Sequence, residues 1–211
     1  MSNSLSNSTI EDSESQPNLK IVIIDYGAGN VQNVLFAIHR LGYEGIVTND
    51  IHKIQNADKV IFPGVGEASS AMSKLRESGL DKIIPHLKQP VLGICLGMQL
   101  MCKSSAERNT KGLSIFDVDC VKFSNAVKVP QMGWNTISNL ESKLFTDIAE
   151  NEYMYLVHSY FAPICAETIA TTNYEFDYSS ALKHNNFYGT QFHPEKSGSV
   201  GEEILLNFLK L

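Results

Sequence analysis

No apolar run in the 211-residue sequence approaches the roughly 18 residues that a membrane-spanning helix needs. The N-terminus also lacks the basic and apolar regions of a secretory signal. We therefore expect a cytoplasmic protein with no membrane partner. Clusters of lysine and arginine are missing too, and with a net charge of −6 and a pI near 5.5, nucleic acid is not an expected partner. The four cysteines (Cys95, Cys102, Cys120, Cys165) form no Cys-x-x-Cys pair, so neither a disulfide framework nor a zinc site is indicated. Reduced thiols and no metal are the expectation. Gly27-Ala28-Gly29 begins like a dinucleotide fingerprint, but Gln32 stands where the third small residue belongs, so no cofactor is expected.

What is present fits one sizeable α/β domain, with an ordinary 43% of apolar residues. Residues 1–18 are rich in Ser, Asn, Asp and Glu and offer too little apolar area to offset ordering entropy; they read as a disordered polar extension before a domain at 19–211. Ile21-Val22-Ile23-Ile24 is a continuous apolar run, suited to a strand buried on both faces. After it, Asn30 is placed to cap a helix with Val31, Val34, Leu35, Ile38 and Leu41 on one face, ending at Gly42. Further strands are expected at 45–48, 59–62 and 91–94, alternating with helices near 67–76 and 80–87. Such alternation predicts a mostly parallel central sheet covered by helices on both faces. Past residue 102 the pattern becomes strand-rich, at 116–123, 152–157, 168–172 and 187–192, with some antiparallel strands expected and a closing helix over 201–209.

The most informative stretch is Val91-Leu92-Gly93-Ile94-Cys95-Leu96-Gly97-Met98-Gln99. An apolar strand ends abruptly at a cysteine flanked by glycines, and a helix-compatible segment, 96–102, follows. This is the layout of a nucleophile elbow, in which a tight strand-to-helix turn lifts the central side chain out of the sheet. Free amides at the helix start favour a thiolate and can donate to an oxyanion. Taken alone, Cys95 reads equally well as a small buried hydrophobe. Two other motifs also follow strands: Pro63-Gly64-Val65-Gly66, and Gln191-Phe192-His193-Pro194-Glu195. In a parallel sheet the C-terminal strand ends share one edge, so Cys95 and His193 can meet there. His193 can then exchange a proton with the thiol, while Glu195 holds the imidazole by its second nitrogen. On their own, the histidine would be structural and the glycine loop a plain turn; their joint occurrence favours chemistry.

Gly-Ile-Cys-Leu-Gly-Met-Gln with a late His-Pro-Glu resembles the class I (triad) glutamine amidotransferases. Asp25 to Asn30, Pro63 to Gly66, Lys128 to Asn135 (with Met132-Gly133-Trp134-Asn135) and Tyr155-Leu156-Val157-His158-Ser159-Tyr160 are similar to the HisH-type glutaminase subunits of imidazole glycerol phosphate synthase. That resemblance covers essentially all of 20–211. It implies a flavodoxin-like α/β fold, a Cys95-His193-Glu195 triad that hydrolyses L-glutamine, and an oxyanion hole from Val65, Gly66 and Leu96. It further implies glutamine binding by Gly64, Gln99, His158, Ser159 and Tyr160. It also implies a (β/α)8-barrel cyclase partner in a heterodimer, with Tyr26, Gly29, Asn30, Trp134 and Tyr155 at the interface or ammonia gate. Gln131 departs from the pattern, since the family usually carries histidine there; this leaves open a related synthase that aminates sugars. A free-standing cysteine hydrolase and a non-catalytic scaffold also compete with the glutaminase reading.

Overall fold

The computed structural model describes residues 19–211. The strands are β1 (Ile21–Ile24), β2 (Gly45–Thr48), β3 (Lys59–Gly64), β4 (Val91–Cys95), β5 (Cys102–Ser105), β6 (Thr110–Lys111), β7 (Phe116–Lys122), β8 (Gln131–Thr136), β9 (Tyr153–His158), β10 (Tyr160–Phe161), β11 (Thr168–Asn173), β12 (Asp177–His184) and β13 (Phe187–Thr190). The helices are α1 (Val31–Arg40), α2 (Ile51–Gln55), α3 (Ala68–Glu77), α4 (Leu80–Ile83), α5 (Leu96–Met101) and α6 (Gly198–Lys210). The expected extension at 1–18 lies outside the described residues.

The central sheet has seven strands in the order β11-β12-β13-β4-β3-β1-β2. Its β13-β4-β3-β1-β2 portion is parallel, and β12 runs antiparallel to both of its neighbours. Alternate side chains of each strand feed two cores, which is why the inner strands are apolar without a break. Val22, Ile24, Val60 and Phe62 pack with α3, α4 and α5 on one face. Ile21, Ile23 and Ile61 pack with α1 and α6 on the other. Smaller β-layers complete the faces: β10-β7-β5-β6 on the first and the antiparallel hairpin β8-β9 on the second.

Several boundaries differ from the sequence reading for local reasons. The segment 80–87 divides into α4 and a 3-10 turn at Ile84–His86, because Pro85 removes a backbone donor. Asn30 does sit at the N-cap of α1, but its side chain makes no capping bond. The helix after the elbow stops at Met101, since Cys102 already pairs in β5. No expectation covered β8 or β12 as strands. In β8, Gly133 has φ +130°, and polar residues interrupt the alternation. In β12, Ser179 and Ser180 are buried in mid-strand, where a strand pattern would lead one to look for apolar residues.

Candidate active site

The site is assembled along the C-terminal edge of the parallel strands. Cys95 is the last residue of β4 and adopts φ 54°, ψ −108°, a region that non-glycine residues avoid. The turn exists because its flanks carry no side chain. A Cβ on Gly97 would overlap the Phe62 carbonyl oxygen, and one on Gly93 would lie 2.9 Å from the backbone of Gly97 and Met98. The two glycines thus let the first turn of α5 sit directly against β3 and β4. This is the elbow the sequence pattern predicts, although the thiol is buried and opens only onto a pocket.

His193 and Glu195 follow β13, the strand beside β4. His193 Nδ1 lies 2.9 Å from Glu195 Oε1, with both side chains almost wholly buried. The opposite ring nitrogen, Nε2, is buried and has no hydrogen-bond partner among the described residues, with Cys95 near enough to favour its proton. Burial alone would strip the imidazole of its proton, but the neighbouring Cys95 and Glu195 outweigh it and push His193 up to about 10. Ser197 was not anticipated. Its Oγ donates to the His193 carbonyl (2.7 Å) and accepts from the Tyr155 amide (3.0 Å), while the His193 amide donates to the Tyr155 carbonyl (2.9 Å). The histidine segment is thereby clasped to β9.

Cys95 lines a pocket of about 230 Å³ together with Val65, Gly66, Leu96, Gln99 and His158-Ser159-Tyr160. Those residues were expected at the site from sequence. Glu107, Pro130 and Val157 complete the wall and were not. Gly64, also expected there, is not among the lining residues, and a Cβ on it would lie 2.7 Å from the Gly97 amide nitrogen. Gly66 has φ +98°, and among the described residues neither its amide nor that of Val65 is engaged in a hydrogen bond. Of the expected interface residues, Trp134 is 56% exposed and stacks edge-on against the half-buried Tyr155. Gly29 and Asn30 are half-buried. Tyr26, by contrast, is buried against Phe62.

Gln131, the departure from the family pattern, is buried in a polar network behind the pocket. His158 Nδ1 lies 2.8 Å from the Tyr160 carbonyl and Nε2 3.1 Å from the Tyr178 hydroxyl, which is 2.9 Å from the Gln131 amide. A carbonyl only accepts, so Nδ1 carries the ring proton. In the neutral ring Nε2 can only accept, and it takes the Tyr178 proton in place of Gln131 Oε1 once the Gln131 amide is turned to present its NH2 to the hydroxyl. The neutral ring that this requires is favoured. Burial is the main cause that holds the His158 imidazole down to about 4, opposed by its bond to the Tyr160 carbonyl and reinforced by His193.

A pH dependence follows. The folded state disfavours a proton that the unfolded chain takes up near the ordinary value of 6.5. The contribution of neutral His158 is therefore complete above 6.5 and is lost as pH falls toward 4, roughly 3 kcal/mol in all. Urea unfolding at pH 7 and pH 4 measures it, and His158→Gln is expected to lose that much less stability across the interval than the native chain.

The family described as Glutamine amidotransferase class-I matches residues 22–211. The fold agrees with a putative GMP synthase subunit from Thermoplasma acidophilum (TM-score 0.70, 22% identity, 91% of this chain and 92% of that one). It agrees likewise with PurLQS from Thermotoga maritima (TM-score 0.69, 14% identity, 92% and 98%). Fold and elbow are thus those of a class I glutamine amidotransferase. Among curated relatives, the imidazole glycerol phosphate synthase subunit HisH of Bacteroides thetaiotaomicron is 52% identical, covering 92% of this chain and 100% of that protein. The HisH of Pectobacterium atrosepticum is 43% identical over the same shares. The chain belongs to the HisH family, the glutamine amidotransferase subunits of imidazole glycerol phosphate synthase.

Proposed function

We propose that the chain hydrolyses L-glutamine through a Cys95-His193-Glu195 triad and passes the ammonia to a (β/α)8-barrel cyclase subunit in the cytoplasm. The observation that carries this reading is a positive-φ cysteine opening on a pocket, near a buried imidazole nitrogen that has no hydrogen-bond partner among the described residues. The Cys95 thiolate attacks the side-chain carbonyl carbon of glutamine. The amide of Leu96 and those of the Val65-Gly66 loop receive the oxyanion. His193, held as imidazolium, gives its proton to the departing nitrogen; ammonia leaves and a glutamyl thioester remains. His193 then takes a proton from water, whose attack releases glutamate, while Glu195 orients and stabilises the ring throughout.

Gln99 supports a definite part in substrate binding. Both of its N–H bonds are already used, one to the Tyr160 carbonyl (2.7 Å) and one to Gln191 Oε1 (2.9 Å). It can present only its carbonyl oxygen to the pocket, which suits the α-ammonium of glutamine rather than its carboxylate. His158, Ser159 and Tyr160 shape the rest of the wall.

The exposed side of β8-β9, with Met132, Trp134 and Tyr153 each more than half exposed, is the face offered to the cyclase. The Val65-Gly66 peptide waits in an unproductive orientation until that partner and its nucleotide bind. Glutamine turnover by the purified chain, with and without the HisF cyclase and its nucleotide, tests both statements. Stimulation of at least tenfold is expected. Equal rates would remove the gated loop, and stimulation only by a sugar-aminating synthase would reassign the partner.

A further inference from the structure

We propose that Gln191 is a positioning residue for the nucleophile, donating an N–H to the Cys95 sulfur in an orientation imposed by a backbone carbonyl two links away. The proposal deepens the triad reading above and rests on Cys95 being its reactive atom. Gln191 is fully buried, with Nε2 3.7 Å from Cys95 Sγ and Oε1 facing Gln99.

Which end of an amide faces a neighbour is ordinarily ambiguous. Here the network decides it. The Tyr160 carbonyl is fixed in the backbone and only accepts, so the group 2.7 Å from it on Gln99 is the NH2. The second proton of that NH2 points to Gln191, which must answer with its oxygen. The Gln191 NH2 is then left facing the sulfur. The Tyr160 carbonyl also accepts from His158 Nδ1, which fixes that end of the chain.

The sulfur consequently lies between two opposed partners. The Val157 carbonyl, 3.8 Å away, can accept only from the neutral thiol. The Gln191 N–H is compatible with either state but is strengthened by a thiolate, as hydrogen bonds to charged acceptors are. Removing Gln191 therefore shifts the balance toward the thiol. The other titratable groups around Cys95 are His193 and Glu195 after β13, His158 on β9, Tyr26 after β1, Tyr178 on β12 and Glu107 across the pocket. None of these changes in the variants below.

The test uses the full chain and a neutral alkylating agent, chloroacetamide, with modification of the Cys95 peptide followed by mass against pH. In Gln191→Met, which keeps the volume and lacks the donor, the midpoint of the profile should rise by about one pH unit. Below the midpoint, alkylation then slows by about tenfold, because the thiolate is the reacting form. For glutamine, kcat should fall by a similar factor while KM stays within twofold, since Gln99 keeps its bond to Tyr160. Gln191→Leu serves if the methionine variant does not fold, judged by thermal melting. A midpoint unmoved in a folded variant overturns the proposal, as does a KM change without a change in kcat. Alkylation does not require glutamine to be the substrate. Failure of the triad reading would therefore appear as glutaminase activity surviving Cys95→Ala, separately from the alkylation result.

Discussion

Cys95→Ala is expected to reduce glutamine hydrolysis by about 10⁴-fold or more, to the level left by binding and the oxyanion donors alone. No other group can replace the sulfur. Cys102 and Cys120 are buried away from the pocket, and Cys165 does not line it. The substitution removes the sulfur without filling space, and alanine must still adopt φ near 54°, so the fold should survive with modest loss of stability. Assayed with the cyclase and supplied with ammonium salt, the same variant should sustain synthesis at a rate near that of the native complex. The pair of measurements separates the two halves of the proposal. Retained glutaminase would exclude Cys95 from the chemistry, and loss of the ammonia-dependent rate would mean that the variant no longer assembles.

Gly97→Ala should have the largest effect on stability. The added methyl group would occupy the position of the Phe62 carbonyl oxygen, a backbone atom of β3 that cannot rotate away as a side chain would. Overpacking of this sort costs about 3 kcal/mol. For a domain of this size that corresponds to a fall in melting temperature of roughly 6 to 12 °C. Relief can come only from α5 moving off β3, which displaces the Leu96 amide and the Cys95 backbone together. Activity should therefore fall further than stability, even below the melting range. A variant that melts with the native protein and turns over glutamine normally would show that the elbow tolerates bulk at this position.

Much of this site could be read from the chain because each part ends a strand. Cys95 ends β4, the Val65-Gly66 loop and His193 come after β3 and β13, and the parallel-sheet rule alone carries them to one edge. The apolar runs of β1, β3 and β4 announce themselves because those strands are covered on both faces. β12 is silent for the opposite reason. Its buried Ser179 and Ser180 sit where local pattern expects apolar side chains, and Ser179 is satisfied by Thr168 and the Pro163 carbonyl, contacts that only the tertiary fold creates. The same holds for Gln191, whose partners Gln99 and Cys95 are more than 90 residues away in sequence. Ser197 and Glu107 are ordinary polar residues until the hairpin and the start of α3 are brought beside them. Burial of Tyr26 is likewise a tertiary outcome, since its ring turns inward against Phe62 where the motif by itself gives no direction.

The clasp between β9 and the histidine segment makes the hairpin a lever. Cys95 is mounted on the parallel sheet, whereas His193 and Ser197 are tied backbone-to-backbone and through Ser197 Oγ to Tyr155, whose ring meets the exposed Trp134. His193 thus has two supports, the central sheet through β13 and the hairpin through Tyr155, and a partner seated on Trp134 would reach the proposed proton carrier through the second of them.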